Sequence, residues 1–255
     1  MMVSDGAVLQ VDLGNSGLKW RLVTDDGVHC RGVQALRGRV GGELQLPDIR
    51  PAAVLVSSVA AHEIDQQLAA QIRQQWSLEP WFARSEAETL GLRNSYRQPE
   101  HMGVDRWLAM LGAWHPWKER VCVVDAGSAL TIDIVAADGR HEGGYILPGV
   151  ALMQRALRRD TQRVRFDQTP AAVLAPGRST AEAVGHGTAL AQCGAVRLAV
   201  ELASAGHGMP PRVVLAGGGG QMLSGLLGGE LQWRRDLVFE GLELAAAAAN
   251  VTLNR

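Results

Sequence analysis

The chain has 255 residues and a mass of 27.3 kDa, a length that suits two domains, since one domain typically has about 100–200 residues. Hydrophobic residues make up 47% of the chain and charged residues 20%, a composition that supports a buried core and excludes a disordered chain. With 25 basic and 26 acidic residues the formal charge is -1, which argues against a dedicated nucleic-acid-binding protein.

The cysteine pattern and the apolar segments indicate the setting of the protein. Cys30, Cys122 and Cys193 are far apart in the sequence and form no CxxC pair, which favours a reducing, cytoplasmic setting. The first residues lack the charged and apolar regions of a signal peptide, and no run of 18 or more apolar residues occurs. We therefore expect a soluble protein that has no membrane partner.

The first half of the chain alternates strand and helix patterns. The predicted elements are, in chain order, a strand at 8–13, a turn at 14–17, a return strand at 18–23, a turn at 25–27, a strand at 52–56, an amphipathic helix at 62–76 and a helix that opens at Gly103. The first two strands form a hairpin with a polar turn at its tip.

The second half repeats this order. Its predicted elements are a strand at 121–125, a turn at 126–128, a return strand at 131–135, a strand framed by Gly and Pro at 143–149, a long helical pattern at 180–203 interrupted at 185–187, and a strand at 213–215 that runs into Gly217–Gly220. Strands that alternate with helices predict α/β layers, and the opening hairpins make the sheets mixed rather than purely parallel.

An internal repeat links the two halves. Aligning Asp12 with Asp125 places Gly14 on Gly127, at an offset of 113 residues. This spacing is too long for a solenoid repeat and predicts a duplicated domain. We place the domains at 1–117 and 118–255, a boundary that rests on composition alone.

Both acidic turns are candidates for phosphate binding. Gly14 would let backbone N–H groups reach phosphate oxygens, Asn15 and Ser16 add donors, and Asp12 can hold a hydrated Mg²⁺ ion. Taken alone, the turn is more typical of a plain hairpin tip. A second acidic turn at the equivalent place favours function, because two such loops facing each other across a cleft would grip a polyphosphate.

Of three further motifs, two keep two interpretations each and one indicates the start of a helix. Asp105 could accept a proton from an alcohol and Arg106 could bind a carboxylate, or Asp105 could simply complement a helix dipole. Residues 177–180 indicate a helix N-terminus, with Glu182 or a hydroxyl as the cap. The run 217–220 could admit a purine against bare backbone or form a flexible turn.

Five ordered motifs together resemble the type III pantothenate kinases, which catalyse the first step of coenzyme A biosynthesis in many bacteria. The motifs are DLGNSGLK (12–19), NSYRQPEHMGVDRW (94–107), DAGSALTID (125–133), GGYILPG (143–149) and GRSTAEAVGHG (177–187). The resemblance spans the chain and implies the superfold of acetate and sugar kinases, Hsp70 and actin: duplicated actin-like (ribonuclease H-like) α/β domains with mixed β-sheets flanked by helices. It also implies a homodimer that uses ATP, Mg²⁺ and a monovalent cation, K⁺ or NH₄⁺.

The resemblance assigns roles to individual positions. It implies ATP contacts at Asp12, Leu13, Gly14, Asn15, Ser16, Gly17, Leu18, Lys19 and Ser128. It implies pantothenate contacts at Tyr96, Gly103, Val104, Asp105, Arg106 and Thr180, the last near the dimer interface. Asp105 is similar to the catalytic base that acts on the primary hydroxyl of pantothenate, Asp125 matches the monovalent-cation site, and Asp12 lies near Mg²⁺, in contact through water or directly.

The chain departs from the family pattern at two positions. Ser128 stands where Thr is common, which keeps the hydroxyl, and Ala216 replaces a Thr near the adenosine pocket, which puts the contacts to the nucleotide base in question. The alternatives are a kinase of the same superfold that acts on another small hydroxyl or carboxylate substrate, and a transcription-regulatory accessory protein. Catalysis is favoured by the retention of Asp12, Tyr96, Asp105, Arg106, Asp125 and Thr180.

Overall fold

Two five-stranded mixed sheets with the same strand order organise the fold. A computed structural model describes residues 6–36, 43–229 and 231–251. The described residues form two compact units, one within residues 6–112 and 237–251, the other within residues 113–236. The mixed α/β class predicted from the sequence is confirmed.

The first unit is built on a sheet of order β3-β2-β1-β4-β5. Its strands are β1 (Val8–Leu13), β2 (Gly17–Thr24), β3 (Gly27–Ala35), β4 (Ala53–Ser58) and β5 (Trp81–Phe82), and a small hairpin adds β6 (Glu88–Thr89) and β7 (Leu92–Arg93). Its helices before residue 113 are α1 (His62–Trp76), the 3₁₀ turn Pro99–His101 and α2 (Val104–Trp114), which ends just past the division between the units. The β1–β2 pair is antiparallel and β4 lies parallel to β1, so the sheet is mixed.

The second unit repeats this order as β10-β9-β8-β11-β12. Its elements are β8 (Val121–Ala126), β9 (Ala129–Val135), β10 (His141–Pro148), α3 (Val150–Asp160), α4 (Thr180–Ser204), β11 (Arg212–Ala216), α5 (Gly220–Leu227) and β12 (Gln232–Trp233). The last helix of the chain is α6 (Leu237–Ala248). The matched order supports the duplication inferred from the 113-residue offset, since Asp12 and Asp125 each hold the fifth position of a six-residue central strand.

Alternation along β1 separates two faces of the first sheet. Leu9, Val11 and Leu13 are fully buried in a core that also contains Leu68 and Ile72 of α1. Since successive side chains of a strand point to opposite faces, Gln10 and Asp12 lie on the other face, the one that α6 contacts. Asp12 therefore lies on the same sheet face as α6.

A buried polar network fixes α6 on this face. Arg21 Nε donates to Gln10 Oε1 over 2.6 Å, and Gln10 Nε2 donates to Glu243 Oε1 over 2.7 Å. The Arg21 guanidinium also lies 5.0 Å from the centre of the Phe239 ring. The sequence assigned this last segment to the second domain, whereas α6 packs against β1 and β4, because its apolar side chains cover the second face of the first sheet.

Several elements differ from those expected of the sequence. Helix α4 runs without interruption through Gly185 and Gly187, so the predicted break is wrong; Gly185 packs against Thr169, and 25 residues of helix tolerate the roughly 1 kcal/mol cost of each glycine. The helices α3, α5 and α6 and the strand β3 were not predicted. Among the described helices, none has the length and apolar character that a membrane span requires.

Candidate active site

Asp12 stands at the end of β1 between two neighbouring strands. It is paired in register with Lys19 of β2 and with Ser57 of β4. Lys19 Nζ lies 3.8 Å from Asp12 Oδ2, and about half of the Lys19 side chain is exposed. The strands therefore fix a carboxylate near the C-terminal end of the central strand, just before the turn 14–16.

The electrostatic environment of Asp12 favours its protonated form. Burial raises the pKa of the Asp12 carboxyl to about 6, and the nearby charge of Asp105 adds to the rise. Lys19 and the Ser57 hydroxyl lower this pKa and only partly offset the burial. Two carboxylates close enough to influence each other, one of them poorly solvated, form an arrangement that a cation would stabilise.

Asp105 is held at the N-terminus of α2, near the end of β4. Its Oδ1 accepts the Arg106 N–H at 2.8 Å. A Cβ atom at position 103 would lie 2.7 Å from the same oxygen and 3.7 Å from Val59, so only glycine leaves room for the carboxylate to fold back there. The Val59 N–H donates to Leu13 O over 3.0 Å, which joins this corner to the end of β1.

Arg106 lies beside Asp105 with its guanidinium nearly enclosed. Only 6% of the residue is exposed, and Nη1 donates to Tyr96 Oη over 2.8 Å. Tyr96 is itself held through its N–H, which donates to Asn94 Oδ1 over 3.0 Å. A pre-oriented guanidinium of this kind suits bidentate binding of a carboxylate.

The turn after β1 offers backbone and side-chain donors at the same end of the sheet. Asn15 and Ser16 are exposed, and the Gly14 N–H closes the turn on Gly17 O at 2.9 Å. Leu13 and Leu18 are fully buried, so any ligand contact at these two positions falls to the backbone. This segment is therefore a hairpin tip, as one interpretation of the sequence has it. Its exposed donors also remain compatible with the other interpretation, a phosphate-binding loop.

The second acidic turn has the same form in the second unit. Asp125 is the next-to-last residue of β8, and Gly127 and Ser128 form the exposed link to β9. Gly217 has a φ of +78°, and a Cβ atom there would collide with Asp125 Oδ1, so glycine is required on both counts. The Gly149 N–H donates to Ser128 O over 3.0 Å, which fixes the turn from the other side.

Thr180 begins α4 and is exposed. The predicted cap of this helix is confirmed, because Ser179 Oγ accepts the Glu182 N–H at 3.2 Å and Glu182 Oε2 accepts the Arg178 N–H at 2.6 Å. Thr180 also lines a largely apolar groove of about 870 Å³ between α3 and α4, with Leu152 on the α3 side.

Two residues at or near the candidate sites, Trp233 and Ser57, are not predicted by any sequence pattern. The Trp233 indole lies against Gly220 and donates to Gly217 O over 3.4 Å, so the glycine run is covered by a ring instead of forming a free turn. Ser57 is fully buried beside Asp12. A single serine in a strand carries no distinctive pattern, and its pairing with Asp12 spans 45 residues that only the parallel register brings together.

The donor set around Asp12 fits a hard divalent cation. Mg²⁺ takes oxygen ligands, usually one or two carboxylates together with water and phosphate oxygens. Asp12, the neighbouring Asp105 and the buried Ser57 hydroxyl supply oxygen atoms only. Within the described ranges no group of three or more His, Cys, Asp or Glu side chains forms a metal cage.

The chain thus has two α/β halves of matching strand order, each with an acidic phosphate-loop candidate near the end of its central strand. A family model described as type III pantothenate kinase matches residues 8–201. The chain belongs to the type III pantothenate kinase family.

Curated relatives agree over almost the whole chain. A type III pantothenate kinase of Pseudomonas putida (strain W619) is 38% identical over 248 residues, which cover 93% of this chain and 98% of the relative. A type III pantothenate kinase of Pseudomonas aeruginosa (strain LESB58) is 37% identical over 247 residues, with the same coverage. The family resemblance inferred from the five motifs is confirmed.

Solved structures share the fold at lower identity. A protein described as a Baf family transcriptional activator from Campylobacter jejuni is 21% identical, with a TM-score of 0.61 over 96% of this chain and 100% of the other. A protein described as a 2-dehydro-3-deoxygalactonokinase from Sinorhizobium meliloti is 17% identical, with a TM-score of 0.55 over the same shares. At these identities the likeness concerns the fold alone.

Proposed function

We propose that this chain transfers the γ-phosphoryl group of ATP to the primary hydroxyl of pantothenate, the first step of coenzyme A biosynthesis, in the cytoplasm. Family membership supports the reaction, and one observation carries the assignment of roles: the Asp12 and Asp105 carboxylates lie close enough to interact at one corner of the first sheet. Phosphoryl transfer depends mainly on positioning and charge neutralisation, which is what this corner can supply.

Each residue at this corner has a distinct part. Asp105 accepts the proton of the attacking hydroxyl, and its orientation is fixed by the Arg106 N–H. Arg106 binds the carboxylate of pantothenate, supported by Tyr96. Gly103 and Val104 offer backbone contacts, since the Val104 side chain is buried.

The loop at 12–19 contacts the phosphates of ATP. Asn15 and Ser16 present exposed donors at the loop, Gly14 and Gly17 close its turn, and Lys19 adds a positive charge next to Asp12. Asp12 holds Mg²⁺ directly or through water. When bound, the ion neutralises charge on the transferred phosphoryl group.

The second unit contributes the remaining contacts. Ser128 is a further ATP contact, and Asp125 is the ligand of a monovalent cation, K⁺ or NH₄⁺. A carboxylate beside backbone carbonyl groups offers oxygen acceptors only, which suits either ion. Thr180 is a pantothenate contact.

Arg106 provides the test of the substrate. Arg106→Gln removes a charged donor from the substrate carboxylate, so we expect KM for pantothenate to rise about 10- to 100-fold, the equivalent of about 1.5–3 kcal/mol for a charged hydrogen bond, with a smaller change in kcat. Initial rates of ATP-dependent phosphorylation at varied pantothenate measure this.

Two companion variants make the result specific. Tyr96→Phe removes only the 2.8 Å support of Nη1 and should raise KM by a smaller factor in the same direction. Arg97→Gln alters an exposed neighbouring arginine and should match the wild type. If the wild type phosphorylates N-acetylglucosamine or acetate but not pantothenate, the proposed substrate is wrong.

We further propose that two copies of this chain pair through the α3/α4 face. Leu190, Leu198 and Leu202 repeat along one side of α4 and are each more than half exposed. None of the residues of α3 is buried, and the groove beside it is largely apolar. An exposed apolar stripe of this extent is typical of an interface, and a second copy is the partner that the family resemblance implies.

Disruption of this face should separate the copies. We expect Leu198→Glu to shift the mass in solution from twice 27.3 kDa to 27.3 kDa, because the buried charge would oppose pairing. Light scattering coupled to size-exclusion chromatography measures the mass. Val33→Glu, at an exposed apolar position on β3, is the control and should leave the mass unchanged; equal masses for wild type and Leu198→Glu would refute this interface.

A further inference from the structure

Ser57 is a fully buried polar residue at the candidate active site. None of its surface is exposed, and its hydroxyl makes no hydrogen bond of ordinary geometry to any of the described residues. A buried hydroxyl without a good partner costs free energy, so native proteins keep few of them. Its presence therefore calls for an explanation beyond packing.

Ser57 lies beside Asp12 in the sheet. The two residues are paired in the parallel β1–β4 register, so their side chains lie side by side on the same face of the sheet. The hydroxyl is also near enough to Asp12 to favour the charged form of its carboxylate and so to lower its pKa. The hydroxyl and the carboxylate thus face each other at the corner that Asp105 shares.

The second unit offers an internal comparison. The residue paired with Asp125 in the equivalent β8–β11 register is Ala216, which is buried and has no hydroxyl. The same place in a duplicated sheet therefore accepts a methyl group. A hydroxyl at this place in the first unit is not a requirement of the fold.

We infer that Ser57 is a positioning residue, whose hydroxyl donates to Asp12 and fixes which carboxylate oxygen is turned toward Mg²⁺ and the phosphates. This inference rests on the proposed role of Asp12. It goes further, because it assigns a specific task to a residue of β4 to which the proposed function gives no part. Residues that orient a metal-binding carboxylate in this way are commonly worth 10- to 100-fold in metal affinity, on the order seen for other outer-shell partners.

Ser57→Ala is the direct test. We expect the Mg²⁺ concentration for half-maximal rate to rise about 10- to 100-fold, with KM for pantothenate nearly unchanged. A readout without turnover is the affinity for Mn²⁺ in the presence of a non-hydrolysable ATP analogue, measured by electron paramagnetic resonance; it should weaken by a similar factor. The Tm of the metal-free protein should stay within a few degrees of the wild type, since the equivalent place in the second sheet accepts the methyl group of Ala216.

Ser58→Ala is the matched control. Ser58 is next in the chain but points to the other face, where its Oγ donates to Asp65 and accepts the Ala60 N–H. Its loss should lower Tm and leave the dependence on Mg²⁺ and Mn²⁺ unchanged. Ser57→Thr, which keeps the hydroxyl, should restore metal affinity to within a few-fold of the wild type.

The outcomes separate this inference from the proposed function. If Asp12→Asn weakens Mn²⁺ binding and Ser57→Ala does not, the inference is wrong and the role of Asp12 stands. If Ser57→Ala lowers Tm as Ser58→Ala does and leaves metal affinity intact, Ser57 is a structural residue only. If Asp12→Asn itself binds Mn²⁺ like the wild type, Asp12 does not bind the metal ion. The positioning role of Ser57 is then wrong as well.

Discussion

Replacing Asp105 by Asn should lower kcat by about 10²- to 10⁴-fold, the range that a positioned proton acceptor supplies. An amide has nearly the shape of the carboxylate, and its oxygen can still accept the Arg106 N–H, so the N-terminus of α2 should stay in place. Only the ability to take the proton of the hydroxyl is lost. The affinity for ATP should therefore change little, which equilibrium binding of a non-hydrolysable analogue measures.

The same variant gives a second observable through Asp12. The charge of Asp105 helps to raise the pKa of Asp12, so its removal should move the acid limb of any remaining activity toward lower pH. Glu100→Gln, at an exposed carboxylate in the preceding 3₁₀ turn, is the control and should keep full turnover. Near-wild-type kcat in Asp105→Asn would contradict the assignment of the base.

Most of the fold can be predicted from the sequence because the two halves of the chain repeat the same local patterns. The hairpin that opens each half and the acidic residue at the fifth position of each central strand are local patterns, and α1 begins and ends where its apolar spacing predicts. The missed elements depend on distant contacts. Helix α6 is a short alanine-rich segment whose place is set by the face of β1 and β4, and α3 is amphipathic but buries none of its residues.

The candidate site shows the same difference between residues that belong to local patterns and residues that depend on distant contacts. Motif residues such as Asp12, Asp105 and Arg106 can be identified from the sequence, since each belongs to a recognisable segment. Their mutual arrangement comes from parallel pairing and from the approach of α2 to the end of β4. Ser57 depends wholly on that pairing, so no local pattern could have revealed it.

Asp12→Asn should raise the stability of the metal-free protein at neutral pH. The carboxyl pKa is about 6 in the folded state against a reference value of 3.8, so the fold prefers the protonated form. As pH rises from 3.8 to 6 the unfolded state loses the proton first, and folding stability falls. Above pH 6 the whole cost of the charged form is present, about 3 kcal/mol for a shift of this size.

Because Asn carries no charge at any pH, the gain from Asp12→Asn should reach up to about 3 kcal/mol above pH 6 and shrink toward zero below pH 4. Urea unfolding at several pH values, without Mg²⁺, measures the difference in the free energy of unfolding. Asp26→Asn, at an exposed turn position, is the control.

Kinase activity should change in the opposite direction, because an amide holds Mg²⁺ far more weakly than a carboxylate. A variant that is less stable than the wild type at pH 7.5, or a gain that is equal at pH 4 and pH 7.5, would show that the pKa of Asp12 is not raised in the folded protein. Gain of stability with loss of turnover is the pattern expected of a carboxylate kept for its chemistry at the expense of the fold.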